Sequence, residues 1–135
     1  MATVLLLVCH FPGCDDRDES GLHTIPLSLN DTVQMRFGQW YSHKMPCFQL
    51  QFDSLISDGR CPVGLLCFWE GNAEVRIRME AGENHFFTLN THNTFRTDTV
   101  LEGYRVQLID LLPYPVYQVE VAPGDYTAVM VISPE

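Results

Sequence analysis

The chain of 135 residues is long enough for one domain with a hydrophobic core, and its composition, 46% apolar and 19% charged, is that of a folded protein rather than a disordered one. Seventeen acidic against eight basic side chains give a net charge of −9, and the basic residues are scattered along the sequence. Nucleic acid and anionic membrane surfaces are therefore disfavoured as partners, because both bind basic patches.

The first segment, MATVLLLVCHFPGC, holds a short apolar run followed by a small residue and a cysteine. The run is far too short to cross a bilayer as a helix. The order resembles the end of a bacterial lipoprotein signal, which would make Cys14 the acylated first residue. We therefore expect residues 1–13 to be a signal remnant, 14–22 an acidic flexible tether, and 23–135 a single domain. The alternative is a plain N-terminal extension.

Alternation of apolar and polar residues indicates strands in the middle of the chain. TVQMRF, CFQLQFDSL and AEVRIRMEA each place an apolar residue at every second position. The residues expected to face the core are Val33, Met35, Phe37, Phe48, Leu50, Phe52, Val75, Ile77 and Met79. AEVRIRMEA ends at the Gly82 turn and HFFTLNT follows almost at once, so these two segments predict a hairpin.

Two more strands are predicted in the last third of the chain. YRVQLIDLL, from Tyr104 to Leu112, stops at Pro113, because proline cannot donate to a strand ladder. DYTAVMVI follows a Pro-Gly-Asp turn, and Tyr126 within it is either a tyrosine corner or one more half-buried aromatic residue.

The complete pattern predicts an all-β protein. No segment shows a sustained 3.6-residue apolar period with caps, so little or no helix is expected. About eight short strands separated by Gly, Pro, Asn and Asp turns favour a two-sheet antiparallel sandwich of immunoglobulin-like character. A small β-barrel is the alternative.

Cys61 and Cys67 enclose five residues in the stretch DGRCPVGLLCFWEGNA. Pro and Gly let this loop turn back, and closing it would stabilise the fold by about 2.4 kcal/mol in the chain-entropy model. A redox pair favours two intervening residues, and zinc needs further paired ligands that the sequence does not supply nearby. A structural disulfide is the favoured interpretation, with a metal site or free thiols as alternatives.

Two neighbouring predictions depend on that disulfide. Cys47 is left over, either as an exposed free thiol or as a competitor for one of the other two cysteines. Trp69, two positions after Cys67, is expected to cover the disulfide as a core aromatic residue does.

DGRCPVGLLCFWEGNAEVRIRM, YRVQLIDLLPYP and DYTAVMVI together resemble a family of small bacterial secreted or lipoprotein domains. Its members carry Arg-Cys-Pro, a second cysteine, a tryptophan two positions later and a small-residue turn. The resemblance covers Leu27 to Ile132, with Glu70 where a small residue is usual. It implies export and a disulfide-clipped β domain, and it implies no substrate.

The sequence contains none of the short motifs that indicate a hydrolase, a metalloprotease or a nucleotide-binding enzyme. Gly-x-Ser-x-Gly, His-Glu-x-x-His and a phosphate-binding glycine loop are all absent from it. His85 and His92 are seven positions apart, so one straight strand would place them on opposite faces. The acidic residues near turns are expected to be solvated surface charges rather than calcium ligands. They are Asp53, Asp58, Asp98 and Glu102.

Trp40, Tyr41, Tyr114 and Tyr117 form the candidate binding surface, because amphipathic aromatic side chains are enriched in contact patches. The alternative is that they cap the ends of the core. We therefore expect a non-enzymatic module, without a cofactor, anchored to the bacterial cell envelope through Cys14 and binding an envelope protein or a glycan. A secreted or periplasmic location is the alternative, and the second functional hypothesis is a metal-binding protein or metal-dependent enzyme using His85 or His92 with nearby acids.

Overall fold

The computed structural model describes residues 24–44 and 47–135. These ranges contain nine strands and one short 3-10 turn, with no α-helix among them. The strands are β1 (Ile25–Pro26), β2 (Thr32–Arg36), β3 (Trp40–Lys44), β4 (Cys47–Asp58), β5 (Ala73–Ala81), β6 (Glu83–Asn90), β7 (Asp98–Leu101), β8 (Tyr104–Leu112) and β9 (Thr127–Pro134). The 3-10 turn spans Pro123–Asp125.

The strands form two sheets that face each other. One sheet has the order β1-β3-β4-β5-β6 and the other the order β2-β9-β8-β7. Neighbouring strands are antiparallel except for β1 and β3, which run parallel. The sheets do not close into a barrel. The predicted β-sandwich is therefore confirmed and the barrel alternative is wrong.

The core lies between the two sheets, where the alternating residues of the sequence meet. Seven of the predicted inward residues are buried, namely Met35, Phe48, Leu50, Phe52, Val75, Ile77 and Met79. Val33 and Phe37 pack against them while partly exposed. The second sheet contributes Val106, Leu108, Leu111, Met130 and Ile132. This apolar interior is the main source of stability, because each such side chain gains about 1.5–3 kcal/mol on burial.

Both β4 and β8, which end at the same end of the sandwich, contain bulges. The register of β4 against β5 shifts between Phe52 and Ser54 and again between Leu55 and Ser57. The register of β8 against β9 shifts between Leu108 and Asp110, next to exposed Asp110. Bulges bend strands and re-aim side chains, often beside functional sites.

Within the described ranges, no helix is long and apolar enough to span a membrane.

Candidate functional site

Three loops meet at one end of the sandwich, and we call them together the loop end. They are residues 59–72 between β4 and β5, 91–97 between β6 and β7, and 113–126 between β8 and β9. The strands that lead into them are adjacent at that end, since Asp58 pairs with Ala73 and Leu112 pairs with Thr127. The sequence expectation of turns containing Gly, Pro, Asn or Asp holds for all three loops.

A buried ion pair forms the base of the loop end. The guanidinium of Arg60 donates from Nε to Asp58 Oδ1 at 2.8 Å and from Nη2 to Asp58 Oδ2 at 2.8 Å. Both side chains are almost completely enclosed, with 5% of Arg60 and 8% of Asp58 exposed. The prediction that Asp58 is a solvated surface charge is therefore wrong, because the bulged end of β4 turns it inward against Arg60.

The same two side chains tie the loops of both sheets together. Arg60 also donates to the carbonyls of Leu111 at 2.7 Å and Pro113 at 3.1 Å, and it lies over the ring of Tyr114. The hydroxyl of Tyr126 donates to Asp58 Oδ2 at 3.1 Å. Tyr126 is buried and bonds to a side chain 68 positions upstream, so it does not form the local backbone contact of a tyrosine corner.

The pKa of the Asp58 carboxyl is set by opposing influences. Burial is the largest and raises the pKa, but the hydrogen bonds and charge of Arg60, with the Tyr126 hydroxyl, together lower the pKa below its ordinary value of 3.8. For Tyr126, burial and then the Asp58 charge raise the pKa above its ordinary value of 10.0. Near neutral pH the pair is thus an ionised carboxylate beside a neutral phenol.

This lowered pKa predicts a pH dependence of stability. Because the folded-state pKa of Asp58 lies below the unfolded one, its contribution is present above pH of about 4 and is lost as pH falls through the folded pKa. The free energy of unfolding, measured by urea titration between pH 7 and pH 2.5, should fall more steeply for the wild type than for Asp58→Asn. An equal slope in both proteins would contradict the assignment, and Asp53→Asn at the partly exposed Arg76 pair is the control.

A disulfide and a short backbone bridge hold the loops in place above this base. Cys61 and Cys67 are bonded to each other with their Cα atoms 6.0 Å apart, so the favoured interpretation of this pair is confirmed. Val63 and Val116 form a bridge between loops 59–72 and 113–126, with the Val63 N–H donating to Pro115 and the Tyr117 N–H to Val63. The Tyr114 hydroxyl donates to the Cys61 carbonyl at 2.7 Å.

The surface of the loop end is strongly apolar. Of the sixteen exposed large apolar side chains in the described residues, five lie on loop 59–72, one on loop 91–97 and four on loop 113–126. We call these ten the apolar tip, and they are Val63, Leu65, Leu66, Phe68, Trp69, Phe95, Tyr114, Val116, Tyr117 and Val119. Leu66 and Phe68 are the most exposed of the ten, and their side chains are fully accessible to solvent.

A polar cleft of about 160 Å³ lies beside the apolar tip. It is lined by Arg60, Glu70, Gly71, Thr91, His92, Asp110 and Tyr114. The Thr94 N–H donates to His92 Nδ1, so the ring hydrogen is on Nε2, which donates to Glu70 Oε1 at 2.9 Å. The edge of the Trp69 ring meets the His92 ring, with centroids 5.6 Å apart.

The four predicted binding residues do not form one surface. Tyr114 and Tyr117 belong to the apolar tip. Tyr41 is 3% exposed, and its hydroxyl donates to the Gln34 carbonyl, so its placement on a binding surface is wrong. Trp40 lies under the guanidinium of Arg78 and opposite Gln51, seven residues before the end of β4 and therefore roughly 20 Å from the loop end.

Two predictions around the cysteines are corrected. Trp69 is 55% exposed and contacts His92, so it is not a core residue covering the disulfide. Cys47 is in a disulfide bond, so the predicted free thiol is wrong, and so is competition for Cys61 or Cys67. The partner of Cys47 lies outside residues 24–44 and 47–135. Cys14, the predicted lipidation site, also lies outside the described residues.

The two histidines of the metal hypothesis are held apart. His85 Nε2 lies 3.3 Å from a Glu102 oxygen, and His92 Nε2 lies against Glu70 at the loop end. Asp53 and Asp98 are paired with Arg76 and Arg105 instead. In the described part of the chain, no three His, Cys, Asp or Glu side chains come together as a metal site would need.

Sequence reasoning missed Arg60, Leu66 and Phe68 as residues of the candidate site. The signal for Arg60 was the Asp two positions before it, which places a carboxylate within reach of a guanidinium. The signal for Leu66 and Phe68 was an apolar run inside a Pro-Gly loop without strand alternation.

The chain was compared with protein-family models, with curated proteins and with solved structures. None of the three comparisons gives a match. The resemblance to small bacterial secreted domains therefore stays a prediction, and the function is argued from the loop end itself.

Proposed function

We propose that this protein is an exported, non-enzymatic β-sandwich module of the bacterial cell envelope that binds a partner protein through the apolar tip. The observation that supports the proposal is the concentration of ten exposed apolar side chains on three adjacent loops. Large contiguous apolar patches are rare on soluble monomers and mark interaction sites. Leu66 and Phe68 are the expected anchors, because they would lose the most water-exposed area on binding.

The charges around the tip favour a protein over a membrane. The exposed acidic residues of the loop end and its border are Glu70, Asp110, Glu120 and Asp125, against one exposed basic residue, Arg96. Membrane-inserting surfaces carry Lys and Arg around their apolar residues, because these contact lipid phosphates. The rim found here would be repelled by an anionic bilayer and attracted by a protein surface with a basic rim.

The outermost residues favour a protein over a glycan. Leu66 and Phe68 carry no hydrogen-bonding side-chain group, and neither do their neighbours Val63 and Leu65. A sugar ring seated on them would bury hydroxyl groups without partners, which costs about 1–3 kcal/mol for each. An apolar socket on a protein has no such cost.

The loops of the apolar tip are preorganised for binding in the unbound protein. The Cys61–Cys67 bond, the Val63–Val116 bridge and the buried Arg60–Asp58 pair fix the backbone on which the tip stands. Affinity grows when less loop ordering is needed on association. This is the expected architecture of a recognition surface rather than of an accidental exposed loop.

Export is supported by the disulfides, because such bonds persist mainly in oxidising compartments. The anchor is a separate question. Removal of residues 1–13 and acylation of Cys14 would leave three cysteines able to form disulfides, namely Cys47, Cys61 and Cys67. Because Cys61 is bonded to Cys67, Cys47 would then have no cysteine within residues 14–135 to pair with. Acyl mass on a chain beginning at Cys14 supports the lipid anchor, and an unacylated chain supports the secreted or periplasmic alternative.

The occupant of the tip can be identified by photo-crosslinking in the native host. A benzophenone side chain is placed at Phe68 and, as the matched control, at Phe86, an exposed phenylalanine on the outer face of β6. We expect from position 68 one adduct, of defined mass, with another protein, and none from position 86. The adduct should disappear with Leu66→Ser and persist with Val100→Ser, which changes an exposed residue of β7.

Other outcomes of this experiment contradict the proposal. Transfer of the label to lipid would make the tip a membrane anchor, and transfer to polysaccharide would make it a glycan site. Equal adducts from positions 68 and 86, or an adduct that survives Leu66→Ser, would show that the tip has no selective partner.

A further inference from the structure

Three of the four edge strands among the described residues are protected against pairing with another chain. Natural proteins shorten, interrupt or cover the edges of their sheets, because a free edge pairs with other strands. β1 has two residues, one of them Pro26, and β7 has four residues. The edge of β2 is covered by Tyr41, whose hydroxyl accepts a hydrogen bond from the Arg36 N–H and donates one to the Gln34 carbonyl.

The fourth edge strand, β6, has none of these protections. It has eight residues without Pro or Lys, and its register against β5 is unbroken. The Asn90 N–H donates to the Arg96 carbonyl and therefore points away from β5. Because antiparallel pairs alternate, Asn84, Phe86 and Thr88 also direct their N–H and C=O groups away from β5. Among the described residues, no group hydrogen-bonds to these outward N–H and C=O groups.

The outward groups of β6 are placed so that β6 of a second copy satisfies them. In an antiparallel pair about a two-fold axis at Phe86, the two Phe86 residues face each other. Asn84 of each copy then faces Thr88 of the other. All three residues direct their backbone groups to the edge, so each N–H meets a C=O of the second copy. β6 is therefore self-complementary, as the contact of a two-fold dimer must be.

The side chains along this edge are also compatible with a second copy. Phe86 is 54% exposed on the outer face, and aromatic cross-strand pairs stabilise a sheet. Asn84 is in register with Glu80 on β5, and Thr88 is in register with Arg76. The two-fold axis therefore places the row that holds Glu80 in line with the row of the second copy that holds Arg76. Opposite charges lie at the two ends of each such row.

We infer that the protein forms a two-fold dimer in which β6 of each copy pairs antiparallel with β6 of the other. This inference goes beyond the proposed function and does not depend on the apolar tip, which lies on loops. A single strand pair buries less than the 1,200–2,000 Å² that is about the size of a stable interface, and the net charge of −9 on each copy opposes association. The dimer is therefore weak, with a dissociation constant on the order of 50 μM at about 0.15 M salt.

Sedimentation equilibrium between about 10 μM and 1 mM tests the association. We expect the wild type to change from mostly monomer to mostly dimer over this range. Phe86→Lys should stay monomeric, because it places like charges opposite each other at the axis. The matched control is Ile109→Lys, which adds the same charge at an exposed apolar residue of β8 in the other sheet and should associate as the wild type.

Amide hydrogen exchange locates the contact without any substitution. The amides of Asn84, Phe86 and Thr88 should exchange about fourfold or more slowly at about 1 mM than at about 10 μM, because only the monomer exposes them to water. The Phe87 amide already lies in the ladder with Ile77 of β5 and should keep its rate.

Three results would overturn the inference. They are a wild type that is monomeric at about 1 mM, a dimer that Phe86→Lys leaves intact, and exchange at Asn84, Phe86 and Thr88 that does not depend on concentration. Leu66→Ser/Phe68→Ser should dimerise as the wild type does. Failure of the β6 contact is therefore distinguishable from failure of the apolar tip to bind a protein.

Discussion

Replacing Arg60 by methionine is expected to lower the free energy of unfolding by about 3–5 kcal/mol, because it leaves the Asp58 carboxylate buried without its partner. Arg60→Met keeps much of the side-chain volume but removes all four hydrogen bonds of the guanidinium. The Leu111 and Pro113 carbonyls lose their side-chain donor as well. Urea unfolding followed by circular dichroism measures the loss.

The control for Arg60 is Arg76, whose pair with Asp53 is partly exposed, with 45% of the Arg76 and 20% of the Asp53 side chain accessible to solvent. Arg76→Met should cost less than about 1 kcal/mol, since solvent screens such a pair. If Arg60→Met does not fold, Arg60→Lys provides a second test, because it keeps the positive charge and loses the bidentate hydrogen bonding to Asp58. Arg60→Lys should unfold at a lower urea concentration than the wild type. A loss for Arg60→Met no larger than that for Arg76→Met would contradict the role of the buried pair.

Replacing Gly71 by alanine is the second change with a large expected effect. Gly71 has a φ of +77°, and a Cβ placed there would lie 2.1 Å from the Gly59 carbonyl oxygen and 2.7 Å from the Arg60 Cα. These neighbours are backbone atoms, so they move only if the end of β4 and Arg60 move. The expected loss is about 3–4 kcal/mol, combining the left-handed conformation with overpacking.

Gly82 provides a closely matched control for Gly71. Its φ is +76°, and a Cβ there would meet nothing within 4 Å. Gly82→Ala should therefore cost only the left-handed conformation, about 1–2 kcal/mol. The difference between the two variants in thermal or urea unfolding measures the crowding alone. Equal losses would contradict the close packing of loop 59–72 against itself.

The long strands were predictable because their sequence carries the pattern that the fold needs. β5 alternates strictly and ends just before Gly82, so both its faces and its limit follow from the sequence. The limit of β8 follows from Pro113, but its bulge between Leu108 and Asp110 breaks the alternation and leaves Ile109 and Asp110 both exposed. β3 and β7 have five and four residues, too few for a clear period. Tyr41 in β3 therefore has no period that assigns its ring to a face; the ring enters the core, and its hydroxyl donates to a backbone carbonyl.

The base of the loop end was not predictable because its contacts are distant in sequence. Arg60 bonds to carbonyls 51 and 53 positions away, and these meet it only when β4 and β8 finish at the same end. An arginine in a Gly-rich turn is normally a surface residue, so residue type alone predicts that Arg60 is exposed. Only the topology shows that this one is enclosed.

The apolar tip was hidden for a different reason. Apolar residues in a globular chain are expected in the core, and Leu66, Phe68 and Trp69 gave no strand period that would assign them to a face. They lie inside or directly after the loop that Cys61 and Cys67 close, outside the strands of both sheets. Side-chain type alone predicts Tyr114 and Tyr117 on a contact surface, and both lie in the apolar tip.

The most direct test of a binding role for the apolar tip is the affinity of the crosslinked partner, purified, for three forms of this protein. Isothermal titration compares the wild type, Leu66→Ser/Phe68→Ser and the control Ile25→Ser/Val100→Ser, which alters two exposed apolar residues outside the tip. We predict that the tip variant unfolds at the wild-type urea concentration and binds about 100-fold more weakly or worse, a loss of about 2.7 kcal/mol, while the control binds as the wild type. A dissociation constant for the tip variant within about threefold of the wild-type value would contradict the account.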